Sequence, residues 1–222
     1  MTTPTPAPMT YPPHPCPGRT PQPAPARSRR RLVAGVVALL LVGAGAAAAV
    51  RWAGGGDSAP LAGRPRVDDS RAGLSYAVPE GWKHDAAADK KLIGAFSSQI
   101  SEYTGTGDDA TGGTVMAGPA GKPVPRAELG RAADSAARSN AEFFFPDLPA
   151  GLEESHDTVV DGQPAHTTVL RIRTEDGIAR LRLTVVTIHG ERTSFLLGLA
   201  TGGADPAVAR DMEAVLGSAR VG

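Results

Sequence analysis

The feature that most constrains this 222-residue chain is an uninterrupted apolar run over residues 32–50. The run contains no charged residue, no proline and no side chain that can form a hydrogen bond. As a helix it spans about 28 Å, close to the thickness of the hydrocarbon layer of a bilayer. Only a helix satisfies every backbone group of a single segment in that layer. The sequence therefore predicts one transmembrane helix from Leu32 to Trp52.

The charges beside the run predict its orientation. Four arginines stand directly before it: Arg27, Arg29, Arg30 and Arg31. Positive residues accumulate on the cytoplasmic side of membrane helices, so we expect a cytoplasmic N-terminus and an extracytoplasmic C-terminal part at the cell membrane. In the alternative interpretation, the run is a signal peptide cleaved near Ala48, which would release a secreted form. Both interpretations export the rest of the chain.

The composition divides the chain into four parts. Residues 1–26 hold ten of the 20 prolines, which predicts a disordered cytoplasmic tail over residues 1–31. Three consecutive glycines open a stretch that we interpret as a flexible linker over residues 53–71. Residues 72–222 are long enough for one exported domain with its own core.

The exported part is acidic and contains no cysteine. Residues 52–222 carry 17 basic and 23 acidic side chains, which argues against nucleic-acid binding as a main function. The single cysteine, Cys16, precedes the apolar run. The domain must therefore be stabilised by its core and not by disulfides.

Patterns over residues 72–222 predict an α+β fold in which helices pack on an antiparallel sheet. Alternating or apolar runs predict strands over 73–79, 94–103, 114–117, 152–160, 165–173, 178–188 and 193–200. Turns are expected at Asp161-Gly162, Asp176-Gly177 and near His189-Gly190. Helices are expected at 125–144, ending in three phenylalanines assigned to the core, and after Asp205 as N-cap, with Gly217 just beyond its end.

The order of these elements resembles the PsbP-like α/β/α sandwich, in particular the LpqN-type envelope proteins of actinobacteria. The resemblance is carried by GLSYAVPEGW at 73–82, by VVDGQPA at 159–165 and by the closing hairpins before a terminal helix. It covers nearly all of residues 72–220 and implies a non-enzymatic, envelope-located binding or interaction domain. LpqN-type proteins carry a lipid anchor where this chain has an apolar segment. The Ala-, Gly-, Arg- and Pro-rich composition also resembles that of high-GC actinobacteria.

No catalytic, cofactor or metal residues are assigned from the sequence, because no metalloprotease, hydrolase or phosphate-loop motif occurs in it. Ser155, His156 and Asp157 are consecutive, but neighbours on a strand point to opposite faces and cannot form a triad. His189 and Glu191 make only two of the ligands that a metal site needs. An exported hydrolase whose residues converge only in space remains the alternative function.

Four arginines form the candidate binding site. If Asp176-Gly177 is a two-residue loop, Arg171 lies opposite Arg182 and Arg173 lies opposite Arg180. Like charges across a ladder repel, so either neighbouring acids or a bound anion should offset them. The next strand is expected to place Phe195, Leu197 and Leu199 on the same face. We therefore expect a salt-bridge network or an anion site there.

The sequence thus predicts a membrane-anchored extracytoplasmic binding or interaction domain without catalytic activity or cofactor. Its expected partners are the membrane itself and an envelope protein or anionic envelope component. Small residues spaced by four, such as Gly43 and Ala47, would permit self-association of the helix, and nothing else in the sequence supports an oligomer.

Overall fold

The computed structural model of the protein describes residues 61–105 and 110–222. The predicted tail, the predicted transmembrane segment and the first part of the predicted linker lie outside these residues. The elements in the described part are β1 Arg66–Asp69, β2 Leu74–Ala77, β3 Lys83–His84, α1 Ala86–Asp89, β4 Ser98–Thr104, β5 Thr111–Gly121, α2 Leu129–Phe144, β6 Ala150–Val160, β7 Gln163–Thr174, β8 Gly177–Ile188, β9 Arg192–Ala200, α3 Pro206–Gly217 and β10 Arg220–Val221.

The strands form two sheets, and the described pairings are antiparallel. A seven-stranded sheet has the order β3-β4-β5-β9-β8-β7-β6, and a three-stranded sheet has the order β1-β2-β10. Helices pack on the large sheet, so the predicted α+β class is confirmed. Strand β6 forms one edge of the large sheet and is exposed along most of its eleven residues.

Two apolar cores lie on opposite faces of the large sheet. On one face, α2 buries a stripe of residues spaced by four and three: Leu129, Ala133, Ala137, Ala141 and Phe144. This stripe packs against inward residues of β7, β8 and β9, such as Leu170, Leu181 and Leu197. On the other face, α3 and the small sheet share a second core with Ile100 and Val186. The domain is therefore layered, with the large sheet in the middle.

Helix α3 begins as predicted and ends differently. The Asp205 carboxylate accepts a hydrogen bond of 2.7 Å from the Ala207 amide, and Pro206 occupies the first helical position. Gly217 is not the residue beyond the helix, because it is the last helical residue and Ser218 forms the cap. The Ser218 hydroxyl accepts from the Ala77 amide and donates to the Val215 carbonyl. Tertiary contacts to β2 thus replace the glycine cap.

The assignment of the three phenylalanines to the core is correct for two of them. Phe144 and Phe145 are each 8% exposed, whereas Phe143 is 51% exposed. Consecutive helical residues point 100° apart, so one stripe cannot bury all three.

The predicted linker ends too late. Strand β1 lies inside the segment predicted to be flexible, and it pairs with β2 along its whole length. The folded domain therefore begins before residue 72. The four residues of β1 show no apolar alternation, which is why the pattern did not indicate a strand.

The predicted register of the β7–β8 hairpin is wrong by two residues. The loop is Glu175-Asp176, and Thr174 pairs with Gly177. Arg171 consequently lies opposite Arg180, and Arg182 lies opposite Val169. A two-residue slip keeps every side chain on its face, so the apolar pattern cannot distinguish the two registers.

The expected position of the apolar residues of β9 is also wrong. The β8–β9 connection has three residues, because Ile188 pairs with Arg192. Leu197 then lies opposite Leu183 and faces α2, on the side of the sheet away from the arginines. One extra loop residue moves a whole strand from one face to the other. Phe195 and Leu199 move with Leu197.

Candidate functional site

A polar cluster lies where α2 crosses strands β6 and β7. We call it the Ser155 cluster, and its members are Asp134, Ser155, Asp157, His166 and Thr168. Ser155 and Asp157 are two residues apart on β6 and therefore point to the same face. On β7, Thr168 pairs with Ser155 and His166 pairs with Asp157, so these side chains share that face. Asp134 approaches the same face from the second turn of α2.

The cluster contains a continuous hydrogen-bonded chain from a hydroxyl to a carboxylate. Ser155 Oγ lies 2.9 Å from His166 Nε2, and His166 Nδ1 lies 2.8 Å from Asp157 Oδ1. A carboxylate at Nδ1 favours the tautomer in which Nδ1 carries the proton. Nε2 then presents a lone pair to the serine hydroxyl. The His166 side chain is only 9% exposed, whereas that of Asp157 is 78% exposed.

Asp134 is an alternative acceptor for the single proton of the Ser155 hydroxyl. Its Oδ1 accepts from Thr168 Oγ1 at 2.7 Å and from Ser155 Oγ at 2.9 Å. The hydrogen bond from Thr168 lowers the pKa of Asp134 below its ordinary value, and burial opposes this shift. The bond from Ser155 and the nearby charges of His166 and Arg138 lower the pKa further. The Asp134 carboxylate therefore connects α2 to β6 and β7 through hydrogen bonds.

A glycine in α2 makes room for the imidazole. A Cβ atom at Gly130 would lie 3.1 Å from His166 Cε1, which is closer than ordinary van der Waals contact. Glycine weakens a helix by about 1 kcal/mol relative to alanine, so its position here has a packing reason. The first turn of α2 and the His166 ring fit together because this side chain is absent.

The sequence did not predict this cluster, although one signal in it indicates the geometry. The exclusion of His156 as a partner of Ser155 and Asp157 is correct, since it lies on the other face of β6. The imidazole comes from His166 on the neighbouring strand. The Asp161-Gly162 turn, which was predicted and has positive φ at both residues, fixes Val160 opposite Gln163. Counting back from that turn places His166 opposite Asp157.

The four predicted arginines lie on the other face of the sheet, on β7 and β8. Arg180 bonds to Glu153 of β6 at 2.6 Å, and Arg182 bonds to Glu213 of α3. Burial raises the pKa of Glu213, and the Arg182 charge opposes that rise. Arg171 and Arg173 are exposed at the same end of this face. Acids thus offset two of the four charges.

Within residues 61–105 and 110–222, no group of three or more histidine, cysteine or acidic side chains is arranged to hold a metal ion. No helix in that part of the chain is long and apolar enough to cross a bilayer. The predicted segment 32–52 precedes the first described residue.

Comparison with known proteins shows the fold. No family model and no curated protein matches the sequence. The solution structure of cyanobacterial PsbP (CyanoP) from Synechocystis sp. PCC 6803 matches with a TM-score of 0.52 and 18% identity, covering 77% of this chain and 98% of that one. The crystal structure of LpqN, involved in cell envelope biogenesis of Mycobacterium tuberculosis, gives a TM-score of 0.47 and 11% identity over 66% of this chain and 82% of that one. The described domain has a PsbP-like α+β fold.

Proposed function

We propose that this chain is a membrane-anchored extracytoplasmic domain that binds a partner protein of the cell envelope. The observation that supports this proposal is the exposed edge strand β6. Ten of its eleven residues pair on one side only, with β7, within the described residues, and Glu153 is the extra residue at a register shift. The free N–H and C=O groups of such an edge pair readily with another strand, and natural proteins usually shorten, cover or charge it. Strand β6 is long and uncovered, and its protection is confined to one register shift and to its acids. An extended segment of a partner can add to it as a further strand.

The side chains of β6 fit such a partner. Leu152 is 49% exposed and Val159 is 64% exposed, and both lie on the face of the strand that is directed towards α2. The acids Glu153, Glu154 and Asp157 stand between them. An added strand with apolar side chains at its ends and basic side chains in its centre would complement this edge. The membrane anchor, from Leu32 to Trp52, would hold the domain near envelope proteins.

The binding proposal is tested by photocrosslinking in cells from position 158 of β6. The double variant Leu152→Lys and Val159→Lys should lose the crosslinked product, because charged ends disfavour strand addition. Both side chains are exposed, so the thermal melt of the purified protein should not change. Ile93→Lys is the matched control, since Ile93 is 52% exposed and lies outside β6. A crosslinking pattern that is equal in the double variant and in the wild type would contradict the proposed edge.

The anion interpretation of the arginine face remains a prediction. Arg171 and Arg173 are the two arginines for its test, because Arg180 and Arg182 already hold acids. If the face binds an anionic envelope component, Arg171→Glu with Arg173→Glu should abolish that binding and leave the melt unchanged. Retained binding would contradict the anion interpretation without affecting the proposal for β6.

The topology is tested with the natural cysteine. An impermeant maleimide should leave Cys16 unlabelled in intact cells and label it after permeabilisation, because we place Cys16 in the cytoplasm. A Lys90→Cys variant adds an exposed thiol in the domain, which should be labelled in intact cells. A mature N-terminus near Val50 would instead support the secreted form.

A further inference from the structure

The geometry points to Ser155 as a nucleophile that accepts acyl groups from esters. We propose that His166 acts as its general base and that Asp157 orients the imidazole. His166 lies within hydrogen-bond distance of both the Ser155 hydroxyl and the Asp157 carboxylate, so the side chains follow the order that nucleophilic catalysis requires: hydroxyl, imidazole and carboxylate. This activity goes beyond partner binding and does not depend on it.

The reaction proceeds in two balanced steps. Ser155 Oγ attacks the ester carbonyl carbon while its proton passes to His166 Nε2. The C–O bond to the leaving alcohol breaks, and the imidazolium returns that proton to the alcohol. Water then attacks the acyl-serine with His166 as base, which releases the acid and regenerates the hydroxyl. The Asp157 carboxylate stabilises the imidazolium in both steps.

Access to Ser155 supports this role. Ser155 is exposed on the edge strand, so an ester can reach Oγ from solvent without any rearrangement of the core. His166 is nearly buried and has a hydrogen-bond partner at each ring nitrogen, which restricts its movement away from the serine. A positioned base and an accessible hydroxyl both favour attack.

Asp134 determines the class of substrate. Its carboxylate competes with His166 for the Ser155 proton, and its negative charge lies beside the oxyanion that attack would generate. Both effects slow the reaction, because a transition state with developing negative charge is stabilised by donors and not by acceptors. Only an acyl group with a good leaving group reacts under these conditions. Activated esters are therefore favoured over amides.

The test uses the full chain purified in detergent and a fluorophosphonate probe, followed by p-nitrophenyl acetate turnover. We expect the wild type to be labelled on Ser155 and Ser155→Ala to lose the label. His166→Ala should slow labelling about 100-fold, the range of a lost general base. Asp157→Asn should slow it about tenfold, less than for a buried triad carboxylate because Asp157 is open to solvent. Asp134→Asn should accelerate labelling, which a purely structural role of Asp134 would not produce.

Two variants serve as matched controls. Ser139→Ala removes another exposed serine from α2, and His156→Ala removes the histidine next to Ser155 on the other face of β6. Both should be labelled at the wild-type rate. His166 is nearly buried, so circular dichroism must show that the His166→Ala variant is folded. If that variant is unfolded, Ser155→Ala and Asp157→Asn test the nucleophile assignment, because both alter exposed residues.

Three outcomes would overturn the nucleophile assignment. One is a wild type that is labelled no faster than Ser155→Ala. Another is label on a different residue. The third is unchanged labelling of Ser155 in folded His166→Ala. None of these outcomes bears on crosslinking through β6, so the two proposals fail independently.

Discussion

At the scale of single residues, Asp134 joins three elements. It accepts hydrogen bonds from Ser155 of β6 and Thr168 of β7 while it belongs to α2. We expect Asp134→Ala to lower the free energy of unfolding by about 1–2 kcal/mol, because two hydroxyls lose a charged acceptor at a partly exposed site. Urea unfolding measures this loss. Ser139→Ala on the same helix should be neutral, and an equal loss there would assign the effect to the helix surface instead.

The lowered pKa of Asp134 gives this stabilisation a pH dependence. A carboxyl group with a lower pKa in the folded than in the unfolded protein contributes fully above its unfolded value, about 3.9, and its contribution disappears as the pH falls through the folded value. The difference in urea midpoint between the wild type and Asp134→Ala should therefore be largest near neutral pH and narrow below about pH 4. A difference that stays constant in acid would show that the carboxylate charge is not involved.

The Ser155 cluster also shows what residue-level reading of a sequence can miss. Its five members come from one helix and two strands, and only members of the same strand are close along the chain: Ser155 with Asp157, and His166 with Thr168. The spacing of two on β6 was visible in the sequence. The imidazole is not apparent from spacing along one strand, because His166 approaches Ser155 and Asp157 from the neighbouring strand of the hairpin.

At the scale of elements, turn chemistry decided which predictions were correct. At Asp161-Gly162 both residues have positive φ, and the two-residue loop follows the prediction. At Asp176-Gly177 only the glycine has positive φ, so the turn begins one residue earlier. Thr174 Oγ1 donates to the Gly177 carbonyl and closes this shifted turn. The same dipeptide pattern therefore forms two different turns. At the β7–β8 hairpin the observed register differs from the predicted register by two residues, so each side chain stays on the face that was expected.

The close approach of β5 to the loop before β4 gives a prediction for a glycine. A Cβ atom at Gly118 would lie 2.1 Å from the Ala95 carbonyl oxygen and 2.9 Å from Phe195 Cζ. We expect Gly118→Ala to destabilise the domain by about 1–3 kcal/mol, since backbone must shift to admit the methyl group. Thermal or urea unfolding measures this effect. Gly94→Ala is the control, because nothing lies within 4 Å of its Cβ position; equal effects of the two substitutions would refute the steric explanation.

At the scale of the whole molecule, β1 links the two sheets and the end of the chain. The Asp69 carboxylate accepts from the Ala72 amide, from the hydroxyl of Ser97 and from that of Ser98, the first residue of β4. Arg66 donates to the Ser75 carbonyl of β2 and to the carbonyl of Ser218, the residue that follows α3.

The fold class and seven of the strands could be predicted from apolar patterning and turns. Strand β1 could not, because buried polar side chains hold it in place and its sequence resembles a solvated linker.

This role of β1 predicts where the independent domain begins. A protein that starts at residue 61 should unfold in one cooperative urea transition. One that starts at residue 72 loses the burial of Val67, worth about 1.5–3 kcal/mol, and the Asp69 and Arg66 hydrogen bonds at about 1 kcal/mol each. That sum is comparable to the whole stability of a marginal domain, so the shorter protein should be largely unfolded or lose cooperativity. Equal urea midpoints for the two proteins would mean that residues 61–71 are a linker after all, and that the edge of the small sheet tolerates the loss of its first strand.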